Sequence, residues 1–329
     1  MELDDLESVV MPWPADGSAT DGLPMARVGL RMAFYFNNGY TRELRRELLK
    51  IVEAYLAAAQ GRIQAYQRAG DRRRLPASPA NPVDLGRLRD RVDDFQTPWA
   101  IEMSAEENIS VASHWSLQTV ASQNGYLLVH WPLSHFTAAP RHSFRTLFQD
   151  WCSALNVQHA YAGLGFVLPV GGNDMSSAID HCGLYATRFV GLDLDYPITV
   201  AARCRAGIRT VNWLTAIDAE RLARVGGAGT VLRLAGGEVE SLEYGAGTIF
   251  VAGQAPQIGD TTAGNFPDVY KRLGRAVAPL RADIPEAWFL PPPGFTAPAG
   301  FTSRSGAADA EPEELPGLYY TKSWLARFD

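Results

Sequence analysis

Nowhere in this sequence does an apolar run reach the roughly 18 residues that a membrane-crossing helix needs. Basic residues are missing from its start, since MELDDLESVV carries four acids and no Lys or Arg. A secretory signal opens basic and continues apolar, so none is expected, and a cytoplasmic protein is. Cysteine is sparse. Cys152, Cys182 and Cys204 are odd in number and lie about 20 to 30 residues apart, with no Cys-x-x-Cys pair. That excludes a disulfide framework and leaves reduced, buried thiols as the expectation.

Positive charge is in deficit. Thirty Lys and Arg against 36 Asp and Glu give a net charge of −6. General nucleic-acid binding needs a basic footprint and is not expected, whereas a basic protein partner is compatible with this balance. Chemical signatures are also missing. His114, His130, His135, His142, His159 and His181 form no His-x-x-x-His pair and no Cys/His quartet, so no zinc site is expected. There is no Gly-x-Ser-x-Gly elbow; GGAGTVLRLAGG lacks the P-loop lysine, and the glycines of GLGFVLPVGG are spaced wrongly for a dinucleotide. No catalytic residue, metal or cofactor is expected.

What is present is a soluble globular composition, 47% hydrophobic and 20% charged. Residues 1–24 read as an acidic arm. A first half, 25–168, opens with VGLRMAFYF, where Val28, Leu30, Met32, Phe34 and Phe36 alternate with other residues as a strand requires. Leu44, Leu48, Ile51, Val52, Tyr55 and Leu56 then predict a helix over 41–60. Residues 70–97, with Arg72–Arg74, read as a solvated excursion. Strands are expected near 98–104, 112–122 and 125–132, the last two joined by a turn at Asn124-Gly125, followed by a helix from Ser143.

Residues 169–206 read as a connecting helix and turn. A second half, 207–290, is expected to run strand, short helix after Asp218, strands near 230–234, 239–243 and 247–251, then a helix opened by Asn265 and Pro267. Residues 291–329 form a Pro/Gly-rich tail whose closing LYYTKSWLARF is apolar enough to dock. The fold class is therefore α+β, with antiparallel or mixed sheets flanked by helices and two similarly ordered halves.

The most reactive-looking stretch is IDHCGLYATRFVGLDLDYP, residues 179–197. On a helix capped by Asp174, the residues Ala178, Cys182, Tyr185, Phe189 and Leu192 form one apolar stripe, which leaves Asp180 facing water and His181 on the flank. The apparent Asp-His-Cys cluster is thereby scattered. Asp193 and Asp195 are two apart and share a face in extended chain. Three readings compete for them: pairing with Arg188, Arg203, Arg205 or Arg209, contact with a partner, or a Mg²⁺ or Ca²⁺ site. Glu238, Glu240 and Glu243 are read as one acidic strand face in a Gly-bounded hairpin, a further candidate for partner contact.

Taken together, LRMAFYF, CGLYATRFVGLDLDYP, AGIRTVNWLTAI and GTIFVAGQAPQIGD, in that order, resemble the type VI secretion immunity family over roughly residues 25 to 290. The resemblance implies a stoichiometric inhibitor that binds a cognate effector toxin and is not an enzyme. It also implies that the toxin is nuclease-like, and it carries no catalytic residues to place here. Two rival readings come from other classes: a metal-dependent hydrolase using Asp193 and Asp195, and an adaptor within the secretion apparatus.

Overall fold

The alternating stretch VGLRMAFYF is the spine of the molecule. The computed structural model describes residues 3–15, 20–138, 141–284, 287–299, 301 and 314–329. Its strands are β1 (Val10–Pro12), β2 (Pro24–Asn37), β3 (Ala65–Arg68), β4 (Leu75–Pro76), β5 (Trp99–Ser104) and β6 (Ser116–Ala121). They continue with β7 (Asn124–Trp131), β8 (His159–Val167), β9 (Leu214–Asp218), β10 (Val239–Tyr244) and β11 (Gly247–Ala252). All join one antiparallel sheet in the order β10-β11-β9-β8-β2-β7-β6-β5-β3-β4, with β1 against the start of β2. The fold is α+β, as expected. β2 pairs with β7 and β7 with β6, much as β9 pairs with β11 and β11 with β10. The expected repeat of order does not hold, however: β8 closes the first stretch, and two strands, not three, follow the short helix of the second.

Because residues opposite in register share a face, β2 divides the sheet chemically. Leu30, Met32 and Phe34 stand opposite Trp131, Val129 and Leu127 on β7 and Leu164, Ala162 and Ala160 on β8. Helices Arg42–Ala59 and Arg141–Leu155 cover this apolar face. Phe34 meets Phe148 at 5.3 Å between ring centroids, and Tyr55 meets Trp131 at 4.8 Å. Truncating Phe34 to Ala costs about 3–5 kcal/mol in such a setting. The first helix starts where Thr41 Oγ1 accepts the Leu44 N–H and ends where Gln60 turns left-handed, so its expected span holds.

The opposite face is polar. Arg31 and Tyr35 of β2 share it with His130 on β7, with His159 and Tyr161 on β8, and with Gln118 on β6 and Glu102 on β5. The crossover between β8 and β9 covers it, through helices Gly172–Arg188 and Pro197–Arg203.

Local expectations fail where one residue's neighbours outweigh its propensity. Residues 230–234 lie in a helix, Ala228–Ala235, because Val231 and Ala235, four apart, bury one side. The β6–β7 turn falls at Ser122 and Gln123, and Asn124-Gly125 open β7 instead. Gly125 stands there because a Cβ would overlap the Phe36 ring. Within 1–24, the described residues hold a short helix, Leu3–Glu7, and β1. Part of the tail, 302–313, lies outside the described residues. The closing segment forms helix Leu315–Leu325, which buries Trp324 and Leu325 and sets Phe328 edge-on to Tyr270.

Candidate partner-binding surface

Past Ala162, where β8 stops pairing with the start of β9 at Leu214, the segment around Asp193 takes its place beside β8. Asp193 N–H donates to Leu164 O at 3.0 Å, and Phe166 N–H donates to Asp193 O at 2.8 Å. This carries Asp193 and Asp195 onto the polar face, where both are 0% exposed. Gly165 makes the approach possible, since a Cβ there would overlap Arg31 and stand 2.8 Å from Asp193 O.

Three guanidinium groups surround the two carboxylates. Arg209 bonds Asp193 and lies 3.7 Å from Asp195; Arg327 reaches Asp193 at 3.2 Å, and Arg31 lies 4.0 Å from Asp195. The hydroxyls of Tyr35 and Tyr161 both donate to Asp195 Oδ2. The Arg209 guanidinium also sits over the Tyr161 ring at 4.4 Å. Burial alone would raise the Asp193 carboxyl, but Arg209, Arg31 and Arg327 outweigh it and hold its pKa below the usual range. Burial likewise opposes the Arg209 charge, and Asp193, Tyr161 and Asp195 more than restore it.

This geometry corrects the partner-contact reading of Asp193 and Asp195. Neither reaches the surface, and of the four arginines weighed for them Arg209 is the one that pairs. Three cations already surround the two carboxylates, an arrangement that disfavours a divalent metal between them. Arg31 and Arg327 were not foreseen, being far from the pair in sequence. Of Asp180, His181 and Cys182, it is His181 that is exposed, while Asp180, expected to face water, is half-buried, and burial pushes the Cys182 thiol up to about 12. The stripe itself differs, since Tyr185 is exposed while Met175, Ala178, Ile179 and Cys182 are buried. Gly171, not Asp174, is the N-cap.

The acidic hairpin is at the surface. Glu238, Glu240 and Glu243 are all exposed at the β10 edge of the sheet. They do not share one face. Glu238 and Glu240 are two apart and Glu243 has the opposite parity, but an edge strand leaves both faces accessible. Glu238 pairs with Arg272, and Glu240 lies 3.3 Å from Arg145. Among the described residues Glu243 carries no ion pair. The hairpin turn leads into a cleft of about 440 Å³, lined by Ala246 together with Glu43, Glu47, Asp218 and Glu220 and by no basic residue. This acidic continuation was missed. Its one sequence signal is Glu43 and Glu47, four apart on the solvent side of the first helix.

Among the described residues no group of three or more His, Cys, Asp or Glu is placed to hold a metal, and no helix is long and apolar enough to cross a membrane. A family model described as TsiV, type VI immunity for VRR-NUC, matches residues 52–292. The chain belongs to the TsiV family of type VI immunity proteins. The TsiV match starts within helix Arg42–Ala59, after β2, and runs on to residue 292, so it includes the crossover that carries Asp193 and Asp195. A solved structure described as Pseudomonas aeruginosa T6SS protein PA0821 is similar in fold, with a TM-score of 0.76 and 21% identity over 95% of this chain and 85% of that one. No curated protein matches the chain.

Proposed function

We propose that this TsiV-family protein binds a cognate type VI secretion effector and neutralises it stoichiometrically in the cytoplasm, protecting the producing cell and its kin. The effector on this reading is a nuclease of the VRR-NUC kind with a basic face. The observation that carries the proposal is the family description, which spans residues 52–292. The acidic hairpin and its adjoining cleft support it, because complementary fields speed capture of a basic partner. Protection of this kind needs affinity on the order of nM, which corresponds to about −12 kcal/mol.

The test is co-expression and direct titration. The effector should kill when expressed alone, be harmless with this protein, and bind it one-to-one. An adaptor would instead hold on to components of the secretion apparatus and leave the toxin active. Within the same assay, Glu238, Glu240 and Glu243 are assigned to the contact. Reversing all three to Lys should slow association by about tenfold or more at low salt, with less effect at high salt. An unchanged association rate removes the hairpin from the interface.

A further inference from the structure

The crossover does not cover the polar face all the way to its β3 end. It stops at Gly171 and Gly172, where helix Gly172–Arg188 begins, and at Ile198, which is 54% exposed. Beyond it a pocket of about 370 Å³ opens over β3, β5 and β6. Glu102 and Gln118, directly opposite in the β5–β6 register, lie in its floor, with Tyr126 alongside and Ile109 and Ile198 at the rim.

Both floor groups are acceptors; Gln118 Oε1 is buried without a donor, and the half-buried Glu102 lies within the field of Arg74, whose Nε and Nη1 have no partner. Gln118 is 6% exposed; its Nε2 donates to Val170 O, and its Oε1 has no hydrogen-bond partner. That bond also fixes the amide, since the reverse orientation would set two oxygens against each other. The Glu102 carboxylate takes no hydrogen bond and no ion pair among the described residues. Burial raises its pKa, and Arg74 acts on it only from a distance. The buried Gln118 carbonyl is costly unless something donates to it, and the half-buried Glu102 beside it supplies a negative charge at the same spot.

The pocket does not suit an anion. Glu102 repels one, the Arg68 guanidinium in the lining is already held by Asp71 and Asp84, and the helix start is faced by Asp174, whose Oδ2 lies 3.1 Å from where a Cβ on Gly171 would stand. It suits a planar, multidentate cation on an apolar stem. A guanidinium fork can donate to the carboxylate and to the neighbouring amide oxygen at once, while its methylenes rest on Tyr126 and the two isoleucines.

We propose that this pocket receives an arginine side chain of the effector, with Glu102 and Gln118 Oε1 as its hydrogen-bond acceptors. The identity of the occupant rests on the immunity reading above. The full-length chain should bind N-acetyl-arginine amide saturably in the mM range, seen as shifts of the Gln118 side-chain amide by NMR. The neutral N-acetyl-citrulline amide should not compete. Glu102→Gln should abolish the peptide signal and weaken effector binding by about 10- to 100-fold. Ile198→Lys, which places a cation at the exposed mouth and leaves the floor intact, should do the same with an unchanged melting temperature. Tight effector binding that neither variant alters would overturn the pocket and leave the immunity function standing. If the wild-type chain does not bind the effector, the immunity reading falls and the effector as occupant falls with it. The peptide titration still decides whether the pocket takes a guanidinium, and silence at tens of mM would refute that.

Discussion

Replacing Arg209 by Met keeps much of the side-chain volume and deletes the guanidinium that touches both Asp193 and Asp195. All three groups are fully buried, so neither carboxylate can recover the loss from water. Removing one partner of such a pair costs about 3–5 kcal/mol. Arg327 remains at 3.2 Å from Asp193 and Arg31 at 4.0 Å from Asp195, which places the expected loss at the lower end, about 3 kcal/mol. At this chain size that corresponds to a fall in melting temperature of about 4 °C. Urea unfolding of Arg209→Met, Asp193→Asn and the double variant measures it directly. If the two side chains act on each other, the double variant costs less than the sum of the singles. A single-variant loss below about 1 kcal/mol, or strict additivity, would refute the account of the network. Below the unfolding midpoint each variant should still bind effector. Binding lost with the midpoint unmoved would mean that these carboxylates reach the partner after all.

The remaining predictions concern packing, protons and thiols. Gly165→Ala drives a methyl group into Arg31 and toward Asp193 O, and should destabilise the fold by about 1–3 kcal/mol or more in the same urea assay. Burial holds His159 neutral, with its pKa at about 3 against about 6.5 in the unfolded chain. The unfolded state therefore takes up the proton first, so stability is full above about pH 6.5 and falls as pH drops toward 3, by up to about 1.4 kcal/mol per unit. His130 is lowered in the same direction, mainly by burial, and adds to that slope. His159→Phe should flatten the acid limb, and an unchanged slope would assign it elsewhere. Cys152, Cys182 and Cys204 are buried as free thiols, so a water-soluble maleimide should label none of them until the chain unfolds. Rapid labelling of any one under native conditions would contradict its packing.

The parts of the fold legible in the sequence were those whose pattern is local. The alternation in β2 and the spacing of Leu44, Leu48, Ile51, Val52 and Tyr55 each reflect one element meeting one surface, and both elements stand where expected. The Asn124-Gly125 turn failed for a non-local reason, since the Phe36 ring that excludes a Cβ at Gly125 comes from another strand. The site divides the same way. That Asp193 and Asp195 pair with arginine was readable from the composition nearby, yet two of the three arginines come from β2 and from the far end of the chain. The floor of the pocket was not legible at all. Glu102 and Gln118 meet only through the β5–β6 register, and what leaves them uncovered is where the crossover stops.

The two faces of β2 carry one last consequence, for the fidelity of folding. Phe34 belongs against Phe148 and Trp151, while Arg31 and Tyr35 belong with Asp195. A slip of one residue exchanges these sets, setting a guanidinium among aromatic rings and a phenyl ring against carboxylates. Neither face tolerates the error, so the central strand works as a parity check on the whole sheet. A chain paired out of step fails on both sides at once and is left open to proteolysis, without lingering as a plausible counterfeit.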